Sequence, residues 1–178
     1  NKYKFKTPLI ILNVGGIANI TVIDADDYMF SNDIGPGNCL IDKWIRMNSG
    51  MKYDKDGNIA KSGKINKTVL NKALENFKEI KDSKSYDVKD FDISFVKGLS
   101  MEDGAATLTE YTGEILKKKL TMPYHNPAKN ILISGGGRKN KFLVKKIKEK
   151  INVPLNLIDN YGINGDFVES QAFAYLAI

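Results

Sequence analysis

The sequence predicts an α/β domain built on one mixed five-stranded sheet, and three features carry that prediction. Three short, β-branched apolar runs stand together at the start, helical periodicities fill the middle, and a strand–helix–strand–helix alternation closes the chain. At 178 residues the chain has room for one domain of roughly 150 residues, or for one with an appendage. With 42% hydrophobic and 27% charged residues it can bury a core, which excludes the disordered, collagen-like and disulfide-rich classes.

Residues 8–14, Pro-Leu-Ile-Ile-Leu-Asn-Val, make the first run, and Gly15-Gly16 separates it from the second at residues 17–23. A Gly-Gly step between two such runs reads as a tight hairpin. Asp24 to Asp27 forms a polar turn, and Tyr28-Met29-Phe30-Ser31-Asn32 reads as a third strand ending at Asp33. Asn38 is placed to cap a helix from about Cys39 to Asn48, with Leu40, Ile41, Trp44, Ile45 and Met47 on its apolar side. Residues 51–65, rich in Gly, Asp and Lys, read as a loop. Val69, Leu70, Ala73, Leu74 and Phe77 then recur at helical spacing.

Residues 78–100 are polar without a clean period and are expected to be a mobile connection, with one short extended piece around Phe91 to Phe95. A long helix should run from Met101 to about Leu120 with Ala105, Leu108, Tyr111, Ile115 and Leu116 inward, ended by Pro123 and Pro127. Ile131-Leu132-Ile133 reads as a buried strand running into Gly135-Gly136-Gly137. A basic amphipathic helix follows through Lys150, its inner side Leu143, Ile147 and Ile151. Val153 to Ile158 is one more strand, and a last helix from about Asp166 turns Val168, Ala172, Phe173 and Leu176 inward. Antiparallel hairpins joined to parallel strands through right-handed crossovers, with helices on both faces, form the ribonuclease-H-like arrangement of actin-type phosphotransfer domains.

Lys and Arg total 27 against 21 Asp and Glu, a net charge of +6 that favours anionic partners. Only Arg46 and Arg138 are arginines, whereas base-reading interfaces lean on bidentate Arg, so nucleic acid is disfavoured. A lone cysteine, Cys39, permits no internal disulfide and fits a reducing compartment, so a cytoplasmic location is expected. The longest uncharged stretch, Thr7 to Ile23, falls short of the roughly 20 residues of a membrane helix. It also contains Pro8, Gly15 and Gly16, so no membrane association is expected. The chain starts at Asn1 and its last helix runs to Ile178 without a cap, so both ends are expected to be truncated.

Three glycine clusters sit at predicted strand ends: Asn13 to Asn19 around Gly15-Gly16, Asp33 to Asn38 with Gly35 and Gly37, and Ser134 to Asn140 with Gly135, Gly136 and Gly137. Backbone without a Cβ can approach a ligand and turn N–H groups toward phosphate oxygens or a nucleotide base. The second and third clusters also precede predicted helices, whose N-termini attract anions. Each cluster alone reads more readily as an ordinary tight turn, since an isolated glycine match is weak.

Other signatures fail or are bland. Gly57 and Gly63-Lys64 are spaced wrongly for a Walker loop, and Ile65 replaces its Ser or Thr. Gly135, Gly137 and Asn140 imitate a dinucleotide fingerprint that lacks its β-α-β context. Asp54-Lys55-Asp56-Gly57 has its glycine too early for a calcium loop. His125 has no partner at ligand spacing and reads as a loop residue, and the lysines of 139–150 read as a solvated helix face. Asp33, at a strand end before Gly-Pro-Gly-Asn, is open to two readings, a structural carboxylate or a ligand for Mg²⁺ beside phosphates. Glu169 in a first helical turn ordinarily just complements the dipole.

Taken in order, six segments resemble the C-terminal half of the anhydro-N-acetylmuramic acid kinases, bacterial sugar kinases of the actin/hexokinase/Hsp70 class. They are Leu12-Asn13-Val14-Gly15-Gly16-Ile17-Ala18-Asn19-Ile20-Thr21, Asp33-Ile34-Gly35-Pro36-Gly37-Asn38, Tyr53-Asp54-Lys55-Asp56-Gly57, Asp103-Gly104-Ala105-Ala106-Thr107-Leu108-Thr109, Ser134-Gly135-Gly136-Gly137-Arg138-Lys139-Asn140 and Glu169-Ser170-Gln171-Ala172-Phe173-Ala174.

The resemblance implies ATP-dependent cleavage of 1,6-anhydro-N-acetylmuramic acid with addition of water, giving the 6-phosphate in peptidoglycan recycling. It implies ATP and Mg²⁺ as cofactors. The Asn13 to Asn19 turn would face the phosphates, Gly135 to Asn140 the nucleoside, Asp33 the metal and Glu169 the sugar. It further implies that residues 1–178 are a single C-terminal nucleotide-binding lobe, partnered by an N-terminal lobe that holds the catalytic carboxylate base and a first phosphate loop. The isolated chain would then be inactive. The family's Pro-Lys-Ser-Thr-Gly-Arg stretch corresponds to Ser83-Lys84-Ser85-Tyr86-Asp87-Val88, which keeps Lys84 and Ser85 and loses the Gly and Arg. That change bears on sugar recognition or lobe closure. A homodimer is left open, and the rival readings are a non-catalytic nucleotide-binding module or an RNA-binding module on the same sheet.

Overall fold

A computed structural model describes residues 5–24, 28–79, 85–122, 127–168, 170, 171 and 174. Strands β1 (Leu9–Val14), β2 (Ile17–Ile23) and β3 (Met29–Pro36) form an antiparallel meander, and β4 (Asn130–Ser134) and β5 (Leu155–Leu157) add in parallel. The order β3-β2-β1-β4-β5 is that of the ribonuclease-H-like sheet. Central β1 is apolar throughout except at Asn13, because both of its faces are covered. In β2, buried and half-buried positions alternate, as a strand nearer the sheet margin should. The third strand runs past the predicted stop at Asp33 to Pro36. After an irregularity at Ala18/Asn19 its backbone goes on pairing with Ala18 and Ile17.

The helices are α1 (Cys39–Asn48), α2 (Asn58–Ser62), α3 (Lys67–Glu75), α4 (Met101–Leu120) and α5 (Lys141–Lys148). Helix α4 is central. The Ser100 hydroxyl accepts from Asp103 N–H at 3.1 Å to start it, and Ala105, Leu108 and Leu116 are buried under the sheet. Fully burying a side chain of this kind is worth about 1.5–3 kcal/mol. Where α1 crosses α4, Gly104 leaves no room for a Cβ beneath the Trp44 indole, whose N–H donates to Met101 O at 2.8 Å. Lys150 just beyond α5 pairs with Glu110 and Glu114 of α4, and Lys146 reaches Glu110 at 3.3 Å. Two lysines of the expected solvated face therefore form the seam between these helices.

Three further expectations are corrected. Asn38 sits at the N-cap of α1 but does not cap it with its side chain: its backbone is already helical (φ −87°, ψ −10°), whereas a capping side chain goes with an extended backbone. The expected loop 51–65 contains a 3-10 turn, Lys55–Gly57, and helix α2, whose Ile59 and Ala60 N–H groups both donate to the Asp54 carboxylate at 2.9 Å. In place of an extended piece, residues 85–100 make 3-10 turns at Val88–Asp90 and Ser94–Val96. Phe91, Ile93 and Val96 plug into the core, so the described part of the connection is anchored there. Lys84 lies outside the described residues, as does His125.

A smaller apolar cluster covers the opposite face of the sheet, where Leu9, Leu132 and Ile158 meet Ile11, Tyr161, Ile163 and Val168. Positions 168, 170, 171 and 174 are helical, in keeping with a last helix here, but its expected inward residues Ala172, Phe173 and Leu176 lie outside the described residues. Among the described residues, no helix is long and apolar enough to cross a membrane.

Candidate functional site

Two of the three glycine bends interlock through their backbones. Gly37 N–H and Cys39 N–H donate to Gly16 O at 2.9 and 3.2 Å, and Asn38 N–H donates to Gly15 O at 2.8 Å. The third bend, a 3-10 turn at Gly136–Lys139 after β4, is set against the end of β1. Gly135 stands at φ +77°, and a Cβ there would overlap Asn13 Oδ1 and the Val14 carbonyl. One at Gly137 would overlap the Val14 side chain. The three clusters predicted from separate stretches of sequence thus converge.

Convergence has a cost that sequence reasoning missed. The Gly37 and Asn38 amides, expected to welcome phosphate, are spent on the neighbouring bend, and Gly135 N–H is taken by Gly165 O at 3.1 Å. The groups still offered are those leading the last turn, Gly136 and Gly137, ahead of its first internal bond from Arg138 N–H to Gly135 O. Around Gly136 the space is open.

Beside the bends lies a groove of about 770 Å³ between the first turns of α1 (Asn38, Asp42), the Tyr53–Asp56 segment, the Gly136–Lys141 stretch and the end of β5. Asn38, Gly136 and Asn140 of the predicted residues line it. Asn140 is also the cap of α5, its Oδ1 accepting from Leu143 N–H at 3.0 Å. Asp42 was not singled out in sequence, because one acidic residue in a helix's first turn is unremarkable. Here burial pushes its carboxyl up to about 6, with the Asp54 charge adding and Arg46 opposing. Burial likewise pushes the nearby Cys39 thiol up to about 11, which leaves it unreactive at neutral pH.

Arg138, noted in sequence only for its rarity, locks the groove wall. Its guanidinium donates to both Asp159 oxygens (2.7 and 3.0 Å), to Asp166 Oδ1 (2.7 Å) and to Gly135 O (2.9 Å). These bonds hold the guanidinium's pKa above its ordinary value, and they keep the carboxyls of Asp159 and Asp166 below theirs, Asp166 at about 2. An arginine directly after three glycines was the one available signal for this latch.

Asp33, Asn19, Asn13 and Ser134 stand in register across β3, β2, β1 and β4, on the sheet face opposite the main core. Ser134 is fully buried and its Oγ has no partner among the described residues. Asp33 Oδ2 accepts from Tyr86 N–H at 2.9 Å. Among the described residues no group of three His, Cys, Asp or Glu side chains could cage a metal. Gly35 lies at the end of β3 against Ile115 of α4, away from the groove lining. Glu169, the expected sugar contact, lies outside the described residues.

Residues 3–178 match the family model described as anhydro-N-acetylmuramic acid kinase. Curated proteins of that name are 44% identical in Pelagibacter ubique (100% of this chain, 50% of that protein) and 40% identical in Zymomonas mobilis (96% and 47%). The one from Paramagnetospirillum magneticum is 36% identical (97% and 50%). The chain spans about half the length of the curated relatives it matches. Among solved structures, an activator of the 2-hydroxyisocaproyl-CoA dehydratase from Clostridium difficile with bound ADPNP aligns with a TM-score of 0.53 at 15% identity, covering 92% of this chain and 57% of that one. Component A of the (R)-2-hydroxyglutaryl-CoA dehydratase from Acidaminococcus fermentans aligns at 0.50 and 12%, covering 83% and 54%. At such identities these two likenesses speak for the fold alone.

Proposed function

The chain belongs to the anhydro-N-acetylmuramic acid kinase family, and from that premise we propose that it is the nucleotide-holding lobe of a two-lobed kinase. The whole enzyme would use ATP and water to open 1,6-anhydro-N-acetylmuramic acid and deliver the 6-phosphate, a cytoplasmic step of cell-wall recycling. The observation that carries this reading is the meeting of three glycine bends beside one groove of about 770 Å³, which is within the ordinary size of a small-molecule site.

In this reading the phosphates lie against the Gly15-Gly16 bend and the Gly136 and Gly137 amides, and the nucleoside extends along the groove past Asn38 and Asn140. Amides fixed before the ligand arrives stabilise charge on a transferred phosphoryl group without reorganising. Arg138 donates to the Gly135 carbonyl and so fixes the turn that carries those amides.

Magnesium in such sites is held by one or two carboxylates, phosphate oxygens and water. Asp33 fits that part, because one carboxylate oxygen is committed to Tyr86 N–H and the other can serve a metal. The ion would neutralise and orient the phosphates. Glu169, by the resemblance, would meet the sugar. Groups that the other half of the enzyme contributes are needed for turnover, so the chain alone is expected to be inactive.

Calorimetric titration of MgATP into the chain, alone and with the complementary half and anhydro sugar added, tests the reading. Nucleotide binding, with formation of the 6-phosphate only when both halves are present, is the expected result. Turnover by the 178-residue chain alone, or no nucleotide binding in either case, would contradict it.

A further inference from the structure

The groove is bordered by the carboxylates of Asp42, Asp54, Asp56 and Asp159, and all but the first are committed. Asp54 accepts through one oxygen from Ile59 N–H and through the other from Ala60 N–H, each at 2.9 Å. Asp56 pairs with Lys141 at 3.1 Å, and Asp159 is held by Arg138 at 2.7 Å. Asp42 stands apart. Among the described residues it makes no ion pair, and Arg46, one turn further along α1, donates to Lys52 O at 3.2 Å instead. Its half-buried carboxylate lines the groove as an acceptor that the fold itself does not use up.

Its place decides what it can meet. Asp42 N–H donates to Asn38 O at 2.8 Å, so the two residues are one turn apart, about 6 Å along the helix axis. Asn38 is bonded in turn to Gly15, in the bend where the phosphates rest on the nucleotide reading. A carboxylate repels phosphate, and a metal ion would need further oxygens that the committed neighbours do not offer. The part of a nucleotide that lies just beyond its phosphates is the ribose. Its vicinal diol carries two O–H donors, which match the two acceptor oxygens of an ionised carboxylate. The base then falls further out, where Tyr53 and Leu157 give the groove its apolar lining. Burial and the Asp54 charge push the Asp42 carboxyl up to about 6, so it is ionised, and accepts only, above neutral pH.

From this geometry, and resting on the nucleotide reading above, we propose that Asp42 binds the 2′- and 3′-hydroxyls of the nucleotide's ribose and makes the groove selective for ribonucleotides over deoxynucleotides. The desolvation that this carboxylate bears in the free chain is then offset when the diol arrives, because hydrogen bonds to an ionised group are the stronger kind.

Calorimetric titration at about pH 8 with the magnesium complexes of ATP, 2′,3′-dideoxyATP and inosine triphosphate tests the assignment. It is run on the chain alone and with the complementary half added. The parent should bind dideoxyATP at least about tenfold more weakly than ATP, the worth of one hydrogen bond to a charged group. Asp42→Asn keeps the shape but removes the charge and one acceptor. It should weaken ATP binding, leave dideoxyATP binding as it was and bring the two within about threefold of each other. Circular dichroism of the variant should match the parent. Equal binding of ATP and dideoxyATP by the parent, or full discrimination retained by Asp42→Asn, would overturn the proposal. A variant that loses its preference between ATP and inosine triphosphate instead would assign Asp42 to the base and overturn it too. Failure of every nucleotide to bind the parent would sink the nucleotide reading together with this one, whereas ATP binding without discrimination sinks this one alone.

Discussion

Asn38 donates its backbone N–H to the carbonyl of Gly15 at 2.8 Å, and that bond makes the start of α1 and the β1–β2 bend one rigid unit. Gly37 beside it sits so close that a Cβ would overlap the Gly15 carbonyl. Gly37→Ala should therefore push the two bends apart and cost about 1–3 kcal/mol in urea unfolding. Gly136→Ala meets open space. It should stay within about 0.5 kcal/mol of the parent while its methyl intrudes on the groove and weakens MgATP binding by calorimetry. The pair separates the bend's structural role from its ligand-facing one.

Arg138→Met should remove the latch on the Gly135 turn and cost about 2 kcal/mol, the loss of charged hydrogen bonds to a buried guanidinium. Its pH signature is specific. Arg138 depresses the Asp159 and Asp166 carboxyls, so their contribution is present above the ordinary value of 3.8 and disappears as pH falls through the folded value, about 2 for Asp166. Stability curves should therefore fall less steeply between pH 4 and 2 in the variant than in the parent.

Asp42 works in the opposite sense. Burial, reinforced by Asp54, raises its carboxyl from 3.8 to about 6, so the folded chain holds this proton more tightly than the unfolded chain does. Stability from this group is present at low pH and declines as pH rises from 3.8 through about 6. Asp42→Asn should stabilise the chain at pH 7 by about 1 kcal/mol, discounted for partial solvent access, and the gain should vanish near pH 4. Thermal melts at the two pH values measure it.

Trp44, the only tryptophan, reports on the α1–α4 crossing. Gly104→Ala would drive a methyl into its indole ring and strain the N–H bond to Met101 O. Loss of about 1–3 kcal/mol together with a red shift of tryptophan emission is expected.

Much of this was legible in the sequence. The helices at Cys39–Asn48 and Met101–Leu120 occupy their expected bounds, because apolar stripes at helical spacing and a Ser cap act within a few turns. Helix α2 was not seen. Five residues give no period, and its start depends on the Asp54 carboxylate. Residues 85–100 looked like a tether because their buried side chains, Phe91, Ile93 and Val96, follow irregular turns. The glycines of the groove were visible, whereas Asp42 was not, since its environment comes from a segment a dozen residues away in sequence.

By itself, then, the chain's order of residues determined the kinds of element, the faces they bury and the family to which they point, all of which rest on short-range pattern and on motifs. Only tertiary structure decided that Gly15 meets Asn38, that Arg138 ties Gly135 to Asp159 and Asp166, and that the Gly37, Asn38 and Gly135 amides are already taken. The reason is physical. A backbone donor satisfies the nearest acceptor that strand order brings to it, and no local pattern records which one that will be.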